Sequence, residues 1–299
     1  MNNIKVRDGR LHVICQKVLE RISPLIKNDR LYLKLMFHLR VGYSLNLEDP
    51  KTFNEKLNWL KIYYHNPIMP MLADKFAVKE IVAKLIGQEY VVNNYGVWDD
   101  FDDIDFNKLP DKFVLKTTND SMGVIVCKDK KSFDVLAAKK QIGKGSKSNY
   151  FYAKREWVYK DIPRRIIADQ YLEDGTGMQL RDYKFWCFNG VPKYMYFTIK
   201  GEKSYENFYD MDFNIVDIDH GFKRFVPEFV RPEAYEEMKH LAEIISKDLP
   251  FARIDFFYVK GKVYFGEVTF YDWAGMRAFS NYDTDLKLGE LITLPNPLL

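Results

Sequence analysis

Two runs near the C-terminus, ARIDFFY over residues 252–258 and VYFGEVT over 263–269, flank the short connection Lys260-Gly261-Lys262 and constrain the fold more than any other segment. β-branched and aromatic residues fill both runs, and the glycine tolerates the positive φ of a tight turn. The pair predicts an antiparallel hairpin. Side chains alternate along a strand, so Arg253 and Asp255 share one face while Ile254 and Phe256 take the other. Glu267 and Thr269 share a face of the partner strand in the same way. An arginine and two carboxylates then project together, unless the carboxylates simply face solvent on a half-exposed sheet. Hard divalent cations such as magnesium take oxygen ligands, commonly one or two carboxylates completed by phosphates and water. Asp255 and Glu267 fit that donor set.

The rest of the chain mixes helical and strand periodicity, which makes α+β the expected class. Apolar residues at helical spacing run from Leu11 to Leu47, punctuated by Ser23-Pro24 and Asp49-Pro50. This stretch is basic and amphipathic, suiting either a membrane surface or packing on its own domain; packing is the expectation. Thr52, with Glu55 three residues later, forms a capping-box pattern before another helix. Ala73, Ala77, Ile81 and Leu85 predict a further helix ended by Gly87, with Asp74 and Lys75 in its first turn. Strands are expected at Tyr90–Val92, Phe113–Thr117 and Val124–Cys127, then at 165–168, 183–188, 191–198 and 207–210. Residues 139–155, with lysines around Gly143 and Gly145, read as a basic mobile loop, serving either as a lid or as solvated surface. A helix from Pro232 to Lys247 puts Tyr235, Met238, Leu241 and Ile245 on one face.

Lys116 closes an apolar strand run, where a charge is costly unless it is paired or at an open edge. It precedes a polar loop ending at Gly123, whose backbone N–H groups suit phosphate oxygens. No Gly-rich P-loop or dinucleotide fingerprint is present, so nucleotide binding requires another architecture. The 45 Lys and Arg against 42 Asp and Glu leave only +3, so an anion site must be local and a nucleic-acid partner is not expected. No apolar run is long enough to span a bilayer, and MNNIKVRDGR lacks a signal-peptide core, so a cytoplasmic protein is expected. Cys15, Cys127 and Cys187 are scattered and the five histidines lack metal spacing, which sets aside disulfide frameworks, structural zinc and thiol redox chemistry. Aromatic residues make up 16% of the chain, and many crowd the hairpin. Phe256, Phe257, Tyr258, Tyr264, Phe265, Phe270 and Tyr271 are therefore expected to wall a pocket there and to pack the sheet.

Taken in order, Asp74-Lys75, the FVLK run ending at Lys116, IIADQYLE ending at Glu173, RID ending at Asp255 and GEVTF starting at Gly266 resemble the ATP-grasp fold. More narrowly, KTFNEKL over 51–57, the Glu156-Trp157 and Tyr159 cluster, Asp182 with Lys184, and GEVTF are similar to the TupA-like branch. That branch is associated with bacterial surface-polysaccharide synthesis. The resemblance spans about residues 50–275.

This resemblance implies two α+β subdomains gripping ATP behind a helical N-terminal region at 1–70. A preceding segment would occupy 71–111, a lid subdomain 112–172, and a C-terminal subdomain with the metal site 173–299. Lys116 and Lys75 would contact phosphates, and Gln170, Tyr171 and Leu172 would read the adenine edge. Glu173 or Asp174 would lie near the ribose. Lys184 would face phosphate, or else be a surface lysine on a strand. Asp255 and Glu267 would bind magnesium together with Thr269, a weak neutral donor standing where many relatives have Asn. Arg253 would be the catalytic residue, steadying the transferred phosphoryl group. Residues 117–123, with 139–155 nearby, would form the closing lid. ATP and Mg2+ are the implied cofactors. The implied reaction is an ADP-forming carboxylate–amine ligation through an acyl-phosphate, joining an amino acid or similar amine to a uronic-acid-type sugar carboxylate. A glycosyltransferase or sugar kinase of capsule synthesis, and a non-catalytic nucleotide- or glycan-binding module, are the alternatives. Trp273 and Arg277 either contact the acceptor or belong to an Asp-Trp turn packed on the core.

Overall fold

A computed structural model of the chain describes residues 10–119, 123–146, 150–174, 180–199, 205–219, 221–225 and 229–299. Its helices in chain order are α1 (Arg10–Ile22), α2 (Asp29–Val41), α3 (Phe53–Tyr63), α4 (Ile68–Ala73), α5 (Ala77–Ile86), α6 (Val135–Ser146), α7 (Tyr150–Lys154), α8 (Tyr235–Ser246) and α9 (Tyr282–Glu290). The strands are β1 (Asn94–Trp98), β2 (Phe113–Thr117), β3 (Val124–Cys127), β4 (Ile166–Gln170), β5 (Asp182–Phe188), β6 (Val191–Ile199), β7 (Tyr205–Asp210), β8 (Ile215–Val216), β9 (Phe251–Val259) and β10 (Lys262–Thr269). They form a four-stranded sheet in the order β1-β4-β2-β3 and a six-stranded sheet in the order β10-β9-β5-β6-β7-β8. Neighbouring strands in both sheets are antiparallel, as an α+β chain requires.

Each sheet buries its own core. Phe113, Leu115 and Ala168 of the smaller sheet pack with Ala138 and Ile142 of α6. In the larger sheet, Phe185 and Phe256 point toward α8, where Phe185 meets Tyr235. Trp186 takes the opposite face and stacks on Phe53 of α3 with ring centroids 5.1 Å apart. The capping box at Thr52 and Glu55 starts α3 at this point, so Phe53 is delivered directly to the sheet. Full burial of each such ring contributes about 2–3 kcal/mol. Most of the aromatic excess is thereby accounted for. Phe256, Phe265, Phe270 and Tyr271 are all buried in this core, so they pack the sheet as expected.

Several local expectations change. The helix expected from Ala73 is broken at Asp74, whose Oδ1 accepts from the Phe76 and Ala77 N–H groups at 2.8 and 3.3 Å. A short side-chain acceptor competes with helix continuation and restarts the chain as α5. The buried face of α5 is Val78 and Val82, and Leu85 is exposed. Tyr90–Val92 is not a strand: Gln88–Tyr90 form a 3-10 turn, and only Val91 makes an isolated bridge, to Phe265. The strand lies later, as β1, where Gly96 follows a register irregularity against β4. Residues 139–155 are largely helical, in α6 and α7, because Ala138 and Ile142 give the lysine-rich segment an apolar face to bury. Residues 120–122 and 147–149 of the expected lid lie outside the described residues. At the N-terminus the pattern Leu31, Leu35, Phe37 and Leu39 is only partly the buried face: α2 packs through Tyr32, Leu33, Met36 and Phe37 and leaves Leu31 and Leu35 exposed, while α1 buries Leu19 and leaves Ile14, Val18 and Ile22 exposed. Among the described residues, no helix is long and apolar enough to cross a membrane.

Candidate active site

The β9–β10 hairpin does not run in a single register. Phe265 pairs with Phe256, yet Glu267 pairs with Asp255 and Thr269 with Arg253, so one extra residue is accommodated at Gly266. A Cβ there would lie 2.9 Å from the Asp255 carbonyl oxygen, too close for any side chain without a shift. The bulge has a direct chemical consequence. In an unbroken strand, residues 265 and 267 would share a face; here Phe265 enters the core and Glu267 stands opposite Asp255. Lys184 of β5 pairs with Asp255 from the other side, giving a row Lys184, Asp255, Glu267 across three strands.

Arg253 organises this row. Its Nε and Nη2 donate to Asp255 Oδ1 and Oδ2 at 2.7 and 2.8 Å, a bidentate pair. Nη2 also donates to Glu267 Oε1 at 2.7 Å, and Nη1 to Asp272 Oδ1 at 2.5 Å. Thr269 Oγ1 donates to Glu267 Oε1 at 3.2 Å. Lys184 Nζ donates to Asp182 Oδ2 at 2.5 Å and lies 4.0 Å from Asp255 Oδ2. Four carboxylates thus surround two cations, and the surplus is negative. Burial pushes Asp255 up to about 6, against the pull of Arg253 and Lys184. Burial also raises Glu267, but Arg253, Lys75 and Lys184 hold it below the usual carboxylate range. An oxygen-only donor set with surplus negative charge fits magnesium. Among the described residues no cluster of three acidic, His or Cys ligands is present, and a pair of carboxylates suffices for an ion that completes its shell with phosphate and water.

A second charged group lies on the smaller sheet. Asp169 of β4 is buried between Lys116 Nζ and Lys79 Nζ, each at 3.1 Å, and accepts from Asn94 Nδ2 at 3.0 Å. Burial raises its pKa, but the two lysines and the asparagine outweigh that and keep it ionised. Lys116 therefore meets its burial cost by pairing, and its side chain still reaches solvent. Nearby, Asp74 accepts from Arg165 Nη2 at 2.6 Å, and the Lys75 N–H donates to the Thr118 carbonyl at 3.4 Å. Lys75 thus sits against the loop that follows β2, while its charge is felt at Glu267.

The structure therefore gathers Lys75, Lys184, Arg253, Asp255, Glu267 and Thr269 around the hairpin. Lys116 belongs to the smaller sheet, where Gln170 ends β4 with its N–H on the Asn93 carbonyl at 2.8 Å, and Tyr171 and Leu172 follow. Glu173 stands apart, paired in solvent with Lys112 at 2.7 Å. Sequence reasoning missed Lys79 and Asp169, although a lone carboxylate in the apolar IIADQ strand signals a buried cation as plainly as Lys116 signals an anion. It also missed Asp272, which beyond Arg253 accepts from Trp186 Nε1 and Tyr196 OH, both at 3.2 Å.

Asp272 opens a turn of unusual backbone. Trp273, Ala274 and Gly275 have φ of 48°, 59° and 56°, a left-handed run costly for the two non-glycine residues. Helix α3 holds it in place: Lys61 Nζ donates to the Ala274 carbonyl and Asn58 Nδ2 to the Gly275 carbonyl, each at 2.6 Å. Lys61 is buried and also donates to the Lys154 carbonyl at 3.0 Å; burial lowers its pKa and raises that of its buried neighbour Glu156. Asp272 packs inward as expected of an Asp-Trp turn, but the Trp273 ring stays exposed. The Arg277 guanidinium lies against the rings of both Trp273 and Phe222, 4.3 and 4.4 Å from their centroids.

The family model described as TupA-like ATPgrasp matches residues 55–293. Among solved structures, the chain is similar to D-alanine–D-alanine ligase from Helicobacter pylori, with 14% identity, 81% of this chain and 69% of that one covered, and a TM-score of 0.42. It is also similar to VanG D-Ala:D-Ser ligase from Enterococcus faecalis, with 15% identity, coverage of 74% and 60%, and a TM-score of 0.44. The ATP-grasp ligase PsnB complexed with minimal precursor gives 10% identity, coverage of 79% and 67%, and a TM-score of 0.41. No curated protein matches the chain. The family match covers most of the chain, including both sheets and the hairpin, and the chain belongs to the TupA-like ATP-grasp family of ATP- and Mg2+-dependent ligases.

Proposed function

We propose that this ligase joins the amine of an amino acid or similar compound to the carboxylate of a uronic-acid-type sugar in a surface polysaccharide or its precursor. The observation that carries the chemistry is the hairpin cluster, in which one arginine bridges Asp255, Glu267 and Asp272 beside Lys184. A carboxylate oxygen attacks the γ-phosphorus of ATP, the bond to the β-phosphate oxygen breaks, and ADP leaves. The amine nitrogen then attacks the acyl carbon of the acyl-phosphate, phosphate departs and the nitrogen gives up a proton. Asp255 and Glu267, with Thr269 beside them, are the residues that would hold magnesium, which offsets phosphate charge during the transfer. Arg253 steadies the transferred phosphoryl group from a position set by three carboxylates. Lys75, Lys116 and Lys184 lower the repulsion between an anionic acceptor and a triphosphate. Gln170, Tyr171 and Leu172, leaving the smaller sheet, contact the adenine, with Glu173 toward the ribose edge.

In this reading residues 112–172 form the lid unit, joined by β1 in the smaller sheet, and 173–299 the metal-bearing unit, whose larger sheet also takes residues from 53–91 and Val158 and Ile162 into its core. The sugar acceptor is supported by the exposed Trp273 ring, an apolar face for a pyranose, and by Arg277 against it, a partner for a carboxylate. Capsule polysaccharide synthesis and a cytoplasmic site of action belong to the same reading. The test is a matrix of free and nucleotide-linked uronic acids against amino acids, scored by ADP release and product mass. A product equal to both substrates minus water supports the proposal. AMP and pyrophosphate, or ADP release at the same rate without acceptor, overturns it.

A further inference from the structure

Helix α1 carries an outward stripe that the fold leaves uncovered: Ile14, Val18 and Ile22 at i, i+4 and i+8 are 56%, 53% and 41% exposed, and Leu25 just beyond is 81% exposed. Lys17 and Arg21, at i+3 and i+7, border this stripe, and both are exposed, as is Lys27. Between residues 10 and 41 the chain has seven Lys and Arg but only two Asp and Glu, while the whole chain carries +3, so the remainder is slightly acidic. The two acidic residues are turned to internal partners. Glu20 pairs with Arg40 and Lys154 at 2.7 and 3.0 Å, and Asp29 with the buried Arg155 at 2.7 Å. The outward face is thus apolar along its centre and cationic at its edge. Just past it, Lys27, Arg30, Lys160 and the buried Lys61 and Arg155 line a cleft of about 470 Å³ against Asp29 and Asp161, with Arg30 also paired to Glu48 at 2.8 Å, so its cations still exceed its carboxylates.

We propose that α1 and the turn after it dock on an anionic bilayer surface, with Ile14, Val18, Ile22 and Leu25 entering the acyl boundary and Lys17, Arg21 and Lys27 meeting lipid phosphates. A 13-residue helix with an apolar stripe and a cationic border lies in the interface plane and cannot span it. Charge selects the occupant. A second copy would bring its own cations against these, whereas an anionic headgroup layer complements them.

The experiment is co-sedimentation of the full chain with vesicles of phosphatidylcholine alone or mixed with phosphatidylglycerol, at low and raised salt. Binding to the mixed vesicles only, weakened by salt, is the expected result. Lys17→Glu with Arg21→Glu lowers the bound fraction by more than about tenfold, and Ile14→Ser with Val18→Ser lowers it comparably, with far-UV circular dichroism unchanged in both. ADP-forming activity without vesicles stays the same, because none of these residues touches the hairpin cluster. Three outcomes overturn the proposal: no binding to either vesicle, binding by the wild type that is indifferent to lipid charge and salt, or a dimer in sedimentation equilibrium that Ile14→Ser with Val18→Ser disperses.

Discussion

Arg253 Nη1 donates to Asp272 Oδ1 at 2.5 Å, and Asp272 is the last residue before the left-handed turn that α3 clamps through Lys61 and Asn58. Two residues far upstream in the chain therefore help to set where the Arg253 guanidinium points. Asp272→Asn keeps the shape but removes the charge, leaving Arg253 with one partner fewer. The expected result is a kcat lowered by tenfold or more, about 1.4 kcal/mol of barrier for each factor of ten. The ATP KM changes little, and stability falls by the cost of disrupting a buried charged pair, about 3 kcal/mol, which lowers the melting temperature. Steady-state kinetics and thermal denaturation read the two effects separately.

The bulge at Gly266 makes a steric prediction. Gly266→Ala places a Cβ 2.9 Å from the Asp255 carbonyl, so the strands must separate or slip by one residue. Slippage would return Glu267 to the core face. Activity is expected to fall below a hundredth of wild type, about 2.7 kcal/mol in barrier. If Gly266→Ala retains full activity, the register shift is not what brings Glu267 to the site.

Lys116 is held by Asp169, and both should matter for nucleotide affinity. Lys116→Ala is expected to raise the ATP KM by about tenfold. Asp169→Asn leaves Lys79 and Lys116 facing each other without a counter-charge, and is expected to destabilise the fold by about 3 kcal/mol. A double mutant that recovers stability relative to Asp169→Asn alone would show that repulsion between the lysines is the cause.

Asp285 supplies a pH prediction away from the site. It is buried, accepts from the Asn54 N–H at 3.0 Å and from Asn54 Nδ2 and Tyr43 OH at 2.8 Å, and burial pushes it up to about 6. A carboxyl raised in the folded state favours folding fully below its unfolded value of about 4, and that contribution is lost as pH rises through about 6. Stability should therefore drop across this window by about 3 kcal/mol from this group alone. Asp285→Asn should flatten that part of the profile, measured by urea denaturation between about pH 4 and 7.

Glu267→Gln tests the metal assignment. Removing one of two hard anionic ligands is expected to raise the Mg2+ concentration for half-maximal ADP release by about tenfold or more, with the fold intact. Chelation of Mg2+ should stop wild-type turnover. Full activity of Glu267→Gln at limiting Mg2+ would exclude Glu267 as a ligand.

The hairpin, the capping box, the apolar strands with Lys116, the α+β class and the family resemblance are all readable along the chain, because each rests on short-range periodicity or turn chemistry. Even the basic amphipathic character of residues 11–47 was legible, though not which apolar side chains the fold would cover. The rest depends on contacts between distant segments. Alternation along each strand grouped Arg253 with Asp255 and Glu267 with Thr269, but only the bulge at Gly266 sets the two strands in a register that places Glu267 opposite Asp255. Lys79 and Asp169 meet across α5 and the smaller sheet, and Asp272 reaches Arg253 only because α3 stabilises a left-handed turn that local preferences disfavour. The physical reason is common to all three. Backbone strain and buried charge are costly locally, so they persist only where contacts between distant segments offset the cost, and such contacts leave no periodic trace in the chain.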